Sequence, residues 1–180
     1  MKDESIYDGG KDSNGLDEKY HVNLLAEGII DGYITTDNPS DSNGLNTIQQ
    51  YLWFRLGNLN NCEYERIVEK INDSVEEKAY YASGLTENTV DQTSVRRFST
   101  ELRILDSKLK EDFAKSLLRG QITEDNPSPT NNLNSLEQII YLEYNCKTKD
   151  EMEMVKKEIL GIVYSLRGGC SLPCFNPINH

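Results

Sequence analysis

Residues 32–46 read GYITTDNPSDSNGLN, and residues 120–134 read GQITEDNPSPTNNLN. One polar loop thus occurs twice, at an offset of 88 residues, and that recurrence decides the architecture. Aligned without gaps, residues 32–56 and 120–144 share 11 of 25 identities. Chance gives about one or two at average residue frequencies. Among the identical pairs are Gly32/Gly120, Asp37/Asp125, Asn38/Asn126, Pro39/Pro127, Ser40/Ser128, Asn43/Asn131 and Gln50/Gln138. Trp53/Tyr141, Ile48/Leu136 and Leu52/Ile140 keep their chemical type. Self-similarity at a fixed offset is the mark of an internal tandem duplication.

Working outward, each loop is preceded by apolar residues at helical spacing: Val22, Leu25 and Ile29 in one copy, Leu109, Phe113 and Leu117 in the other. In the second copy the stripe reaches back through Leu105, Leu102 and Phe98, which predicts a helix over about residues 94–119. Residues 1–16 are rich in Gly, Asp and Ser, so the first helix is expected to be shorter and its leading segment frayed. Gly32 and Gly120 fall where a helix ends in a left-handed residue.

After each loop comes an Asn followed three residues later by Gln or Glu (Asn46–Gln49, Asn134–Glu137), the pattern of a capping box. The helices so opened carry Ile48, Tyr51, Leu52 and Leu56 in one copy, and Leu136, Ile139, Ile140 and Tyr144 in the other. Trp53, Phe54, Tyr141 and Leu142 widen the apolar surface beyond one stripe, which predicts two core helices and a buried Trp53. A third helix follows in each copy, through Tyr64, Ile67, Ile71 and Val75, and through Met154, Val155, Ile159 and Val163.

No segment alternates with period two. The expected fold is all-α: a duplicated three-helix unit with a long polar loop between its first and second helices. The expected division is a flexible acidic segment (1–16), a first repeat (17–83), a linker (84–93), a second repeat (94–168) and a tail (169–180).

The formal net charge is −11. Residues 1–90 hold 7 Lys/Arg against 17 Asp/Glu, and residues 91–180 hold 12 against 13. Phosphate neutralisation supplies most non-specific nucleic-acid affinity, so direct nucleic-acid binding is not expected. An acidic first half suits a basic protein partner. The start of the sequence lacks an apolar signal core and no run approaches the length of a membrane span, so a cytoplasmic protein is expected.

Each loop admits three readings. Thr35, Asp37, Pro39 and Asn43 can close turns onto nearby backbone, making a bracket between helices. Alternatively, Asp37, Asn38, Pro39, Ser40 and Asn43, with Asp125, Asn126, Pro127, Ser128 and Asn131, present paired polar patches to a protein partner. Calcium is the third. With Gly44 as the sixth residue of an EF-hand loop, the first position is Pro39 and the twelfth Gln50, which fails the pattern. No metal or cofactor site is expected, and the C-x3-C of Cys170 and Cys174 with His180 is too loose for a zinc half-site.

Catalytic motifs are absent, and a nucleophile–base pair would rest on His21, read as a partly exposed residue at a helix start. The reading is therefore a non-enzymatic acidic interaction module, of the inhibitor, immunity or antidote kind. Two alternatives stand beside it. One is a ligand-sensing regulator with an aromatic pocket of Tyr51, Trp53, Tyr141 and Tyr144 at the seam between copies. The other is a subunit of a larger assembly or homo-oligomer, in which Arg96, Arg97 and Arg103 of one copy meet the acidic half of the next.

Overall fold

The computed structural model describes residues 12–83 and 100–168. Those residues form six helices and no strand: α1 (Asp12–Ile30), α2 (Thr47–Leu56), α3 (Asn61–Ser83), α4 (Thr100–Leu118), α5 (Ser135–Tyr144) and α6 (Lys149–Leu166). The expected extension of α4 back to residue 94, the linker at 84–93 and the tail with Cys170, Cys174 and His180 lie outside the described residues. So do Arg96 and Arg97.

As described, α1 and α4 each span 19 residues; the expected difference in their lengths falls on residues outside the described ones.

The local signals that end and start these helices are met. Gly32 and Gly120 take positive φ (77° and 70°) two residues beyond the ends of α1 and α4. Asn46 and Asn134 form complete capping boxes with Gln49 and Glu137. One further left-handed position recurs 88 residues on, as Gly44 (74°) and Asn132 (59°), and Gly and Asn are the residues that enter this region most easily. Gly57 (φ 82°, ψ −161°) and Asn145 (φ 47°, ψ 45°) share a positive φ but not a backbone conformation.

α2 and α5 lie side by side and run the same way. Thr47 Oγ1 meets Ser135 Oγ at 3.0 Å where they start, and Arg55 bonds Glu143 where they end. Each of these residues faces its own counterpart, so a local twofold runs between the two helices. α1 packs on α3 and α4 on α6, with α5 pressed against α6 and touched by α1. A single apolar core joins both halves, including Leu25, Tyr51, Leu52, Ile67 and Ile71 with Phe113, Ile122, Leu136, Ile139, Ile140, Met152 and Ile159.

Trp53 corrects the sequence reading. It is only half-buried and lines an open surface recess rather than the core. Its place on α2 lies off the buried face that holds Ile48, Tyr51 and Leu52, and those three residues already fill the seam.

Candidate functional site: the crossed loops and the charged faces beside them

The connections at residues 31–46 and 119–134 close turns within themselves, through Ser40, Asn43, Ser128 and Asn131, and also bond to each other. Asp37 accepts from the hydroxyls of Ser128 (2.6 Å) and Thr130. Asp125 accepts at one oxygen from Ser40 Oγ (3.0 Å), Ser42 Oγ (2.6 Å) and the Ser42 amide (3.0 Å). Asn43 donates to the carbonyl of Gly120 (2.9 Å), and Asn131 donates to the carbonyls of Gly32 and Tyr33.

Beneath this layer two buried glutamines cross the seam. Gln50 accepts from the Thr123 amide at 3.0 Å and donates to Thr123 Oγ1 and the Leu45 carbonyl. Gln138 does the same for Thr35 (2.8 Å to its amide), with the Leu133 carbonyl as its third partner. All but two of these contacts, the Ser42 amide on Asp125 and Asn131 on the Tyr33 carbonyl, have a counterpart with the halves exchanged. Asn38 and Asn126 depart from the rule. Asn38 is buried and accepts from Thr35 and Thr47, while Asn126 takes φ 44° and donates to the Pro39 carbonyl.

Hydrogen bonding sets the acidity of the paired aspartates. The Ser128 and Thr130 hydroxyls hold the Asp37 carboxyl below its ordinary value. Partial desolvation pushes Asp125 up, but the bonds from Ser42 and Ser40 outweigh it and leave this carboxyl low as well.

Of the loop residues named from sequence, Asp37, Ser40, Asn43, Asp125, Ser128 and Asn131 meet across the seam, and Pro39 and Pro127 sit exposed on the outside. The four aromatic residues are not brought together. Tyr51 is fully buried, Trp53 lines a recess at the start of α3, Tyr141 stacks on Tyr33 (centroids 5.0 Å apart, planes 8° apart), and Tyr144 packs near Phe113.

His21 also lies elsewhere than expected. It sits in the middle of α1 and is buried, with Nδ1 2.7 Å from Tyr51 Oη and Nε2 3.2 Å from Asp17 Oδ1. Burial lowers its pKa from 6.5, against the pull of Asp17. Burial, reinforced by the Glu143 charge, pushes the Tyr51 hydroxyl far up, so it stays protonated and donates to Nδ1. The neutral imidazole then carries its proton on Nε2, facing Asp17. Next to it Arg55 forms a two-armed pair with the nearly buried Glu143 carboxylate. Desolvation opposes the guanidinium charge, but the bonds and charge of Glu143 raise the Arg55 pKa.

The third helices differ in how they handle charge. In α3 all three cations face α1: Arg66 and Lys70 pair with Glu18, and Lys78 pairs with Glu27. Glu63 caps the helix by accepting from the Asn60 amide. Glu65, Glu69, Asp73 and Glu76 are left on the exposed outer face, at helical spacing and with no ion pair among the described residues. Tyr80 and Tyr81 end that helix at 76% and 61% exposure. In α6 the charges interlock instead, through Lys156 with Glu137 and Lys110 with Glu158.

No group of three or more His, Cys, Asp or Glu among the described residues is placed to hold a metal ion, and no described helix is long and apolar enough to cross a membrane. Comparison with protein-family models, curated proteins and solved structures gives no match.

Proposed function

We propose that the protein is a non-enzymatic, acidic interaction module: two copies of one helical unit, clasped through their repeated loops, that bind a basic protein through the outer face of α3. The observation that carries this reading is the unpaired ridge of Glu65, Glu69, Asp73 and Glu76. Like charges at i, i+4 destabilise a helix by about 0.2–0.5 kcal/mol per pair. A partner bearing Lys or Arg relieves that repulsion, and the ridge steers its approach. Tyr80 and Tyr81 at the end of the ridge supply the broad amphipathic contact that often anchors such interfaces.

This reading favours a docking surface on α3 over the loops, most of whose polar groups bond within the clasp, Asn38 Nδ2 and Asp125 Oδ1 excepted. An inhibitor or immunity role toward a basic, nucleic-acid-handling protein fits the same chemistry, since the ridge offers the charge spacing of a polyanion.

The test uses a lysine-rich peptide as probe, titrated into the wild type and into a Glu65→Gln, Glu69→Gln, Asp73→Gln, Glu76→Gln variant of equal melting temperature. The reading expects about tenfold weaker binding by the variant and a steep fall of wild-type affinity with salt. Equal affinity for both proteins would refute the α3 surface.

A further inference from the structure

A recess of about 290 Å³ opens where α1 ends against α5. Three tyrosines line it, Tyr20, Tyr33 and Tyr141, together with three carboxylates, Glu27, Asp31 and Glu143, and no basic side chain. Glu27 holds Lys78 at the rim and Glu143 holds Arg55 behind it. Asp31 has no cation among the described residues. Gly28 lets α1 come this close, since a Cβ there would lie 2.7 Å from Ile34 and 2.8 Å from Leu142 side-chain atoms.

The fold does not dictate this chemistry. Positions 88 residues on from Tyr20, Glu27 and Asp31 hold Lys108, Lys115 and Arg119, all exposed. Across the seam, Tyr33, Tyr141 and Glu143 correspond to Gln121, Trp53 and Arg55. The same backbone position is thus acidic and aromatic in one half, cationic in the other.

Helix electrostatics point the same way. A helix C-terminus carries partial negative charge and favours cations there, which Lys115 in the last turn of α4 and Arg119 just beyond it satisfy. α1 has no basic residue in its last turn and ends instead with Glu27 and Asp31. Lys78 already offsets Glu27, so Asp31 is the carboxylate left against the dipole, and a cation bound beside it relieves that repulsion.

We propose that this recess binds an organic cation, an alkylammonium or guanidinium group, with the charge on Asp31 and the helix end and the alkyl arm against the tyrosine faces. Inorganic cations are matched poorly by tyrosine walls, whereas an ammonium with carbon beside it gains from both ring face and carboxylate. The source of that group is either a free polyamine or a lysine or arginine side chain of another protein.

The site is separate from the α3 ridge, so it stands or falls by its own measurement. Calorimetric titrations with spermidine and with a blocked lysine–arginine peptide, at constant ionic strength, compare wild type with Tyr20→Ala, Asp31→Asn and the charge-matched control Glu124→Gln. Saturable binding that weakens about fivefold in Tyr20→Ala and in Asp31→Asn, and holds in Glu124→Gln and the α3 quadruple variant, supports the site. The tighter of the two probes then names the source. Absence of saturable binding by either probe, insensitivity to Tyr20→Ala, or an equal loss in Glu124→Gln would overturn it.

Discussion

The middle of the molecule and its outer helices follow opposite rules. At the seam, each half does to the other what is done to it: Gln50 holds Thr123 as Gln138 holds Thr35, and Asp37 holds Ser128 as Asp125 holds Ser40. Further out the halves part. α1 ends in Glu27 and Asp31 where α4 ends in Lys115 and Arg119, and α3 leaves a row of carboxylates bare where α6 pairs Glu153 and Glu158. Buried polar groups must each find a partner, so a change on one side of the seam exposes a need on the other. Exposed charges carry no such obligation, and there the two halves are free to take up different tasks.

The largest effect is expected at the one seam pair that breaks the exchange rule in charge. Arg55→Ala leaves Glu143, 5% exposed at its side chain, without its cation, and should cost about 3 kcal/mol in chemical denaturation. The partly exposed guanidinium places it at the lower end of the range for breaking a buried pair.

A comparable cost should separate the halves at the aromatic pair. Tyr141→Ala, removing a nearly buried ring stacked on Tyr33, is expected to cost about 3 kcal/mol, and Trp53→Ala less than half of that. Equal costs would restore Trp53 to the core.

At the clasp itself the halves should behave alike. Gln50→Ala and Gln138→Ala each strip a partner from a backbone amide, of Thr123 and Thr35 respectively, and each should cost about 1–3 kcal/mol. A large difference between them would break the symmetry of the seam.

Acid should act in two windows. The His21 value is lowered in the folded protein, so below about 6.5 the unfolded chain takes up the proton first and stability falls with pH. His21→Gln should flatten that window. Asp37 and Asp125 are also lowered, so their contribution is present above the ordinary aspartate value and is lost as pH falls through the folded values. The double variant Asp37→Asn, Asp125→Asn should lose that acid limb. The smallest effect belongs to the helix ends: Asp31→Asn should stabilise by about 0.3–1 kcal/mol, and Arg119→Gln should destabilise by a similar amount.

Much of the fold is written locally. Gly32, Gly120, Asn46 and Asn134 each act through their own neighbours, so their roles are readable before any tertiary contact is known. The left-handed turn at Gly44 and Asn132 is legible in the same way, once the two residues are compared for the conformation they share rather than for calcium ligation. What the loops bind was not legible. A bracket and a recognition loop both require the two loop sequences to agree, and only the tertiary arrangement shows that each loop answers the other.

His21 and Trp53 were misplaced for a related reason. Spacing along a helix gives a face but not how far the neighbouring helix covers it. The charge inversion between Glu27 and Lys115, and between Asp31 and Arg119, does stand in the aligned sequence. It gains meaning only when Glu27 and Asp31 are seen to line a recess at the end of α1.

The crossed clasp is tested most directly by amide hydrogen exchange at Thr35 and Thr123. In the wild type both amides should be protected like those of the core helices, and Gln50→Ala should release Thr123 alone while Gln138→Ala releases Thr35 alone. Rapid exchange of either amide in the wild type, or release of both by one substitution without loss of the fold, would contradict it.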